Sequence, residues 1–303
     1  MTRYNAYGDA MARRFGEKVY KLAVSGGMSC PNRDGAIDTR GCTFCLNGSG
    51  DFAQQGEDIG RQLDRAKALV AGKYAGSSYI AYFQSYTNTY APLPRLRALY
   101  DPVALREDIA GIAIATRPDC LPPETVAYLA ELSRKKPVWV ELGLQTVHES
   151  TARAIRRGYE LPVFDDAMAR LNAAGLETVV HVILGLPGET REMMLETVDH
   201  AAHCGAGGIK LQLLHVLEGT DLARDYAAGR FRTLEMDEYI FLLEDCIRRL
   251  PENMVVHRLT GDGDKRHLAA PLWSADKKRV LADLNRYLAA HGVQQGSEYT
   301  AVR

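Results

Sequence analysis

The 303-residue chain has almost no net charge: 37 Lys and Arg stand against 38 Asp and Glu, a formal −1. It therefore lacks the global field that draws many proteins to a polyanion. Only local patches, such as Arg13 with Arg14, Lys135 with Lys136, Arg156 with Arg157 and Lys277 with Arg279, are left to face one. Also missing is any apolar run of about 18 residues, so no membrane span is expected. The opening MTRYNAYGDAMARRFGEK has no apolar core of a secretory signal, and a cytoplasmic location is expected. Cysteine is scarce, with 6 residues, and half of them crowd into one loop, as free thiols in a reducing compartment would. What is abundant is ordinary: 46% hydrophobic and 25% charged residues describe a globular protein able to bury a substantial core.

The informative stretch is residues 25–50, SGGMSCPNRDGAIDTRGCTFCLNGSG. It places Cys30, Cys42 and Cys45 in a glycine-rich loop behind a short apolar run, with eleven and then two residues between them. Thiolates are soft ligands for zinc or iron, and two of them separated by two residues reach one centre from a single turn. Three cysteines fall short of the four protein ligands of structural zinc, and they suit a four-iron cluster with one iron left open. A zinc knuckle or a redox pair also uses two-residue spacing, and a distant cysteine completing a zinc site stays open on spacing alone. Cys120, Cys204 and Cys246 have no companion near in sequence and read as small buried or half-buried residues.

Around this loop the chain alternates strand and helix patterns. Residues 7–15 form an amphipathic helix, and residues 18–24 a first strand leading into the cysteines. Helical spacing over residues 56–71 is followed by strands at 77–84, 111–116, 137–144, 176–184 and 208–215. Helices fill the intervals, including one opened by Pro122 and Pro123 and one over 190–203. The near-continuous apolar character of 176–184 indicates burial on both faces. A late strand at 254–259 and a terminal helix at 276–290 complete the pattern. Six main repeats with loops concentrated after strands predict an α/β protein, as a parallel barrel or an open doubly wound sheet.

The stretches KLAVSGGMSCPNRDG, GCTFC, VWVELGLQT, HVILGLPGET and HRLTGDG, in this order, resemble the radical S-adenosylmethionine (SAM) enzymes. Within that superfamily they resemble the YhcC/YtqA group, which is related to the catalytic subunit of Elongator-type tRNA-modifying enzymes. The commonest spacing in the superfamily is three and two, so eleven and two points to this group. The resemblance implies a partial parallel (β/α)6 barrel over residues 1–250, with residues 251–303 as a C-terminal α/β extension packed on it. It implies a [4Fe-4S] cluster on Cys30, Cys42 and Cys45, and SAM on its open iron.

Phe44, between the close cysteines, would shield the cluster and contact adenine. Gln145 would hydrogen-bond SAM, with Glu141 and Gly143 bordering it. Arg157, with Arg153 and Arg156 as rivals, would add a charge-assisted bond. His181 and Gly185 would border the adenosine. Gln84 and Ser85 stand where the superfamily often carries a Gly-Gly-Glu type motif for the SAM amino group. Among the tyrosines, Tyr86 and Tyr90 fall in the loop after the second strand, where either could stack on a base. On the substrate side stand His215, His257 and Arg258, the last able to receive a phosphate or carboxylate.

The expected partners are a tRNA and an external electron donor such as flavodoxin or ferredoxin. An acetyltransferase domain after the last repeat, as in the Elongator relative, is not expected. Two other readings remain: radical chemistry on a small metabolite, and a zinc-stabilised RNA-binding or interaction module.

Overall fold

Strands that read as unbroken apolar runs need cover on both faces, and the chain supplies it by alternating them with amphipathic helices. The computed structural model describes residues 3–46, 53, 58–74, 76–261, 263 and 265–301. After α1 (Tyr7–Phe15), the strands β1 (Tyr20–Val24), β2 (Tyr79–Phe83), β3 (Ile109–Thr116), β4 (Val138–Gln145), β5 (Glu177–Leu184) and β6 (Gly208–Leu213) follow one another. Between them run α2 (Ile59–Val70), α3 (Leu93–Ala104), α4 (Pro123–Lys135), α5 (Glu149–Ala154), α6 (Leu161–Ala173) and α7 (Arg191–His203). Then come β7 (Val216–Leu217), α8 (Asp221–Ala227), α9 (Met236–Arg249), β8 (Val255–Arg258), β9 (Leu268–Ala270) and α10 (Lys277–Ala290).

The main sheet has seven strands in the order β1-β2-β3-β4-β5-β6-β8, every neighbouring pair parallel, curled into a half-barrel. The α/β half-barrel is as expected, but the strand count is one higher. The late strand lies where the sequence places it, yet it pairs with β6 through Gly208 opposite Val255 and so extends the sheet. A four-residue strand can do this because α1 shields it, with Ala6 bridging to Val256 and the Val256 N–H donating to the Asn5 carbonyl at 2.8 Å. β9 pairs antiparallel with β7, and α10 packs against α9.

Two apolar layers hold this arrangement. The larger lies between the sheet and its outer helices and contains Leu22, Ile112, Val140, Val180, Leu211, Phe164 and Leu243. The smaller lies inside the curl, where α1 plugs the end opposite the strand C-termini: Ala10 and Met11 meet Ile80, Tyr82, Ala113, Trp139 and Val179. Each large side chain buried this way contributes roughly 1.5–3 kcal/mol. Gly111 makes space for this plug, since a Cβ there would lie 2.5 Å from the Trp139 ring. With one end sealed, the C-terminal ends of the strands are the open side, where α/β barrels carry their chemistry.

Candidate active site

At that open end lies a cavity of about 300 Å³. Cys30, Cys42 and Cys45 all line it, with Phe44 and Leu46. The strands contribute inward residues two apart: Tyr82 and Gln84 around the end of β2, Glu141, Gly143 and Gln145 from β4, and His181 and Ile183 from β5. Gln212 of β6 and Arg258 of β8 complete the strand-borne wall.

The cysteine loop has little regular structure, so tertiary bonds hold it. The Thr43 N–H donates to the Ile155 carbonyl at 3.1 Å, and the Leu222 N–H at the start of α8 donates to the Thr43 carbonyl at 3.0 Å. Arg156 donates through Nε to the Gly41 carbonyl at 2.9 Å and pairs with Asp221. The Cys45 N–H donates to the Cys42 carbonyl at 3.1 Å, closing the turn between the two near thiols. Burial, with the neighbouring Cys45 thiol, pushes the Cys42 thiol up to about 11. Beside the loop, Phe44 packs against a satellite cluster of Ile155, Ile183, Leu186, Leu214, Val216 and Leu222. Among the described residues, no three His, Cys, Asp or Glu side chains are gathered closely enough to hold one metal ion.

Below the cavity is an ionic layer. Glu141 is fully buried, and its carboxylate accepts from Lys21 at 3.0 Å and from the His181 Nε2 at 2.8 Å, and pairs with Lys210. Lys210, itself 2% exposed, also donates to the Tyr82 hydroxyl at 2.8 Å. Burial alone would raise the Glu141 carboxyl, but the Lys21 and Lys210 ammoniums with His181 hold it well below the ordinary range. Burial, helped by the Lys210 and Arg258 charges and opposed by Glu141, pushes the His181 imidazole down to about 4.

His181 is therefore neutral in the fold near pH 7 and donates its Nε2 hydrogen to Glu141. The unfolded chain binds a proton on this ring below about pH 6.5, whereas the fold does so only near 4, so stability falls as pH drops through that window. By pH 4 the loss from this ring is roughly 3 kcal/mol. Denaturation curves between pH 7.5 and 4.5 should show His181→Asn losing visibly less stability than the native chain. Parallel pH profiles would show that this ring is not the source.

The structure distributes the expected residues unevenly. Phe44, Gln84, Glu141, Gln145, Arg157, His181, His215 and Arg258 join the three cysteines around one cavity. Ser85, Gly185 and His257 do not line it. Ser85 is buried in the turn after β2, its carbonyl accepting from the Asn88 amide at 3.1 Å. Gly185 turns its N–H to the Met194 sulfur at 3.0 Å, and its left-handed backbone and contact with Leu234 explain the glycine. His257 lies beneath the floor, its ring centroid 4.8 Å from that of Tyr7 and its Nδ1 3.5 Å from Lys21 Nζ. Burial and the Lys21 charge keep it well below the ordinary imidazole range. The β6–β8 register slips here, Ile209 pairing with Val256 and Lys210 with Arg258, so His257 sits at the irregularity beneath the floor while Arg258 reaches the cavity wall.

Arg157 lines the cavity, yet four of the five N–H groups of a guanidinium are engaged within the chain. They serve the carbonyls of Tyr159, Leu144 and Thr146 and the Glu149 carboxylate. Gln145 is the opposite case. It sits at φ 66 beside a bulge in the β4–β5 ladder, and its buried Oε1 has no partner among the described residues. Gly143 makes room for it, since a Cβ there would lie 2.6 Å from the Gln145 amide nitrogen. His215 Nδ1 accepts from the Gly263 N–H at 3.1 Å, and a Cβ on Gly261 would lie 2.3 Å from its ring, so the late glycine turn folds over this histidine. Sequence reading missed Lys21, Arg33, Arg117, Tyr159, Lys210 and Gln212, and left Tyr82 undecided. The signal for the lysines was present: each stands as a lone charge inside an apolar strand.

Comparisons with known proteins bear on this arrangement. Residues 39–201 match the Radical SAM superfamily model and residues 206–290 the Radical_SAM C-terminal domain model. The chain is 43% identical to YtqA of Bacillus subtilis (strain 168), over 97% of its own length and 92% of the relative's. It is 24% identical to a tRNA uridine(34) acetyltransferase of Methanocaldococcus jannaschii, over 61% of its own length but 34% of the relative's. The archaeal Methanocaldococcus infernus Elp3 superposes with a TM-score of 0.70 at 17% identity, covering 91% of this chain and 64% of that one, a likeness of fold. With seven parallel strands, a three-cysteine loop at their C-terminal ends and a superfamily match over more than half its length, the chain belongs to the radical SAM superfamily and is an enzyme of that kind.

Proposed function

We propose that the chain holds a [4Fe-4S] cluster on Cys30, Cys42 and Cys45, binds SAM beside it, and directs the resulting radical at a nucleotide of tRNA. The observation that carries the cofactor reading is that three thiols of one loop, joined by none of the other three cysteines, line one cavity. That donor set fits a cluster bridging them better than one zinc ion. The unpartnered Gln145 oxygen, aimed from the end of β4, is a ready acceptor for an amino or hydroxyl hydrogen of the co-substrate. When bound, the cluster supplies the electron that divides SAM into methionine and a 5′-deoxyadenosyl radical.

The chain's own residues provide position and exclusion. Phe44 and its apolar cluster shield one side of the cavity from water. Gln145 and Gln84 orient the co-substrate by hydrogen bonds, and the remaining Arg157 N–H can add one more. The buried Lys21, Glu141, Lys210 and His181 layer fixes the floor against which the substrate is held. Arg258 and His215 stand on the far wall as the substrate-side groups. An external donor such as flavodoxin or ferredoxin supplies the electron.

The tRNA part rests on the distant relative named a tRNA uridine(34) acetyltransferase. A second reading, a small polar metabolite, is favoured by the sealed end of the cavity and by Tyr82, His181, Gln212 and Arg258, whose polar side chains line it within reach of a compact ligand. Nucleoside profiles of tRNA from a deletion strain and its parent separate the two. Loss of one modified nucleoside, restored by the native gene and not by a Cys30→Ala copy, is expected. Unchanged tRNA together with no tRNA binding by the purified chain would favour the metabolite.

A further inference from the structure

We infer that the eleven-residue spacer between Cys30 and Cys42 carries a tuning device, in which the Asn32 amide and the Arg33 guanidinium stabilise the reduced cluster and so set its reduction potential. This rests on the reading of Cys30, Cys42 and Cys45 as ligands.

Asn32 is 1% exposed, and its Nδ2 donates both to the Cys42 Sγ at 3.4 Å and to the Arg156 carbonyl at 2.6 Å. Both partners are acceptors, so an amide fits here and a carboxylate does not. Arg33 serves the neighbouring ligand. Its guanidinium donates to the Cys45 carbonyl and to the Leu46 carbonyl, the latter at 2.9 Å, and the residue lines the cavity. A fixed positive charge is thereby held against the turn that carries two of the three thiols.

The surrounding backbone is cut to admit both side chains. Gly41, at φ 75, would place a Cβ 2.8 Å from the Arg33 Nε. Gly158, at φ 80, would place one 2.6 Å from the Asn32 Oδ1. One glycine at the end of the spacer and one from a distant part of the chain thus yield space to two consecutive spacer residues, which a passive linker would not require.

The physical consequence has a definite sign. Gaining an electron makes a thiolate-bound cluster more negative, so N–H···S bonds and nearby cations strengthen in the reduced state and raise the potential. Removing either should make the cluster harder to reduce. Asn32 and Arg33 act through the ligands and are positioning residues.

The test is a redox titration, followed by electron paramagnetic resonance, of anaerobically reconstituted native chain, Asn32→Ala, Arg33→Gln and Arg33→Lys, each with iron and sulfide quantified. At the native midpoint, the ratio of reduced to oxidised cluster should fall about threefold in Asn32→Ala and about tenfold in Arg33→Gln. Arg33→Lys, which keeps the charge, should recover most of the second shift. Fully loaded Asn32→Ala and Arg33→Gln with the native midpoint would overturn the proposal. So would failure of both to load while the native chain loads, because the residues would then serve assembly alone. A native chain that takes up no iron and sulfide would instead sink the cluster reading itself.

Discussion

Glu141→Ala should lower the stability of the fold by about 3–5 kcal/mol, because it strips the carboxylate from two lysines and leaves fully buried Lys210 without its counter-charge. For a chain of 303 residues that is a fall in Tm of roughly 5–8 °C. Glu141→Gln should be nearly as damaging, since it preserves shape and removes only the charge. A combined Glu141→Leu, Lys21→Met, Lys210→Met chain should regain most of the loss, because burying apolar side chains of similar size avoids the desolvation of three ions. Thermal or urea denaturation of the three variants checks this. A cost below about 1 kcal/mol for Glu141→Ala would mean that the ionic layer relaxes without it.

The second large effect concerns the thiols. Alanine at any one of Cys30, Cys42 or Cys45 should abolish reductant-dependent cleavage of SAM, a loss of at least about a thousandfold, because a cluster deprived of one ligand is neither held nor correctly poised. The fold itself should change little, since none of the three is fully buried and the loop is held by Thr43, Arg156 and Leu222. Alanine at Cys246, buried among α9 residues, should instead cost stability and leave cleavage intact. Iron content, 5′-deoxyadenosine yield and melting temperature measured together separate these cases. Retained cleavage in a Cys42→Ala chain would show that the ligands lie elsewhere.

What the sequence made legible follows from how locally each feature is encoded. The cysteine loop, the strand end at Gln145, the strand that carries His181, and the helix opened by Pro122 and Pro123 are written in contiguous residues and appear where expected. The parallel α/β sheet was legible as repeated strand and helix, whereas its curl was implied only by the family resemblance. The late strand was legible too, but its place as the seventh strand of the main sheet was not, because β8 is four residues long and joins the sheet only by pairing with β6 from Gly208 onward. The ionic layer was hidden for a similar reason. Glu141 is separated by 120 residues from Lys21 and by 69 from Lys210, and only the inward alternation of β1, β4 and β6 brings them together. Glu141 thereby takes on a supporting part beneath the cavity. Arg157 shows the same limit: its place was legible, but the three carbonyls that engage it depend on the path of the loop after β4.

The most direct measurement of the central claim is anaerobic purification and cluster reconstitution, followed by iron and sulfide quantification and an assay for 5′-deoxyadenosine with and without reductant. The account predicts about four irons and four sulfides per chain and reductant-dependent cleavage of SAM. Stoichiometric zinc, no labile sulfide and no cleavage would contradict it.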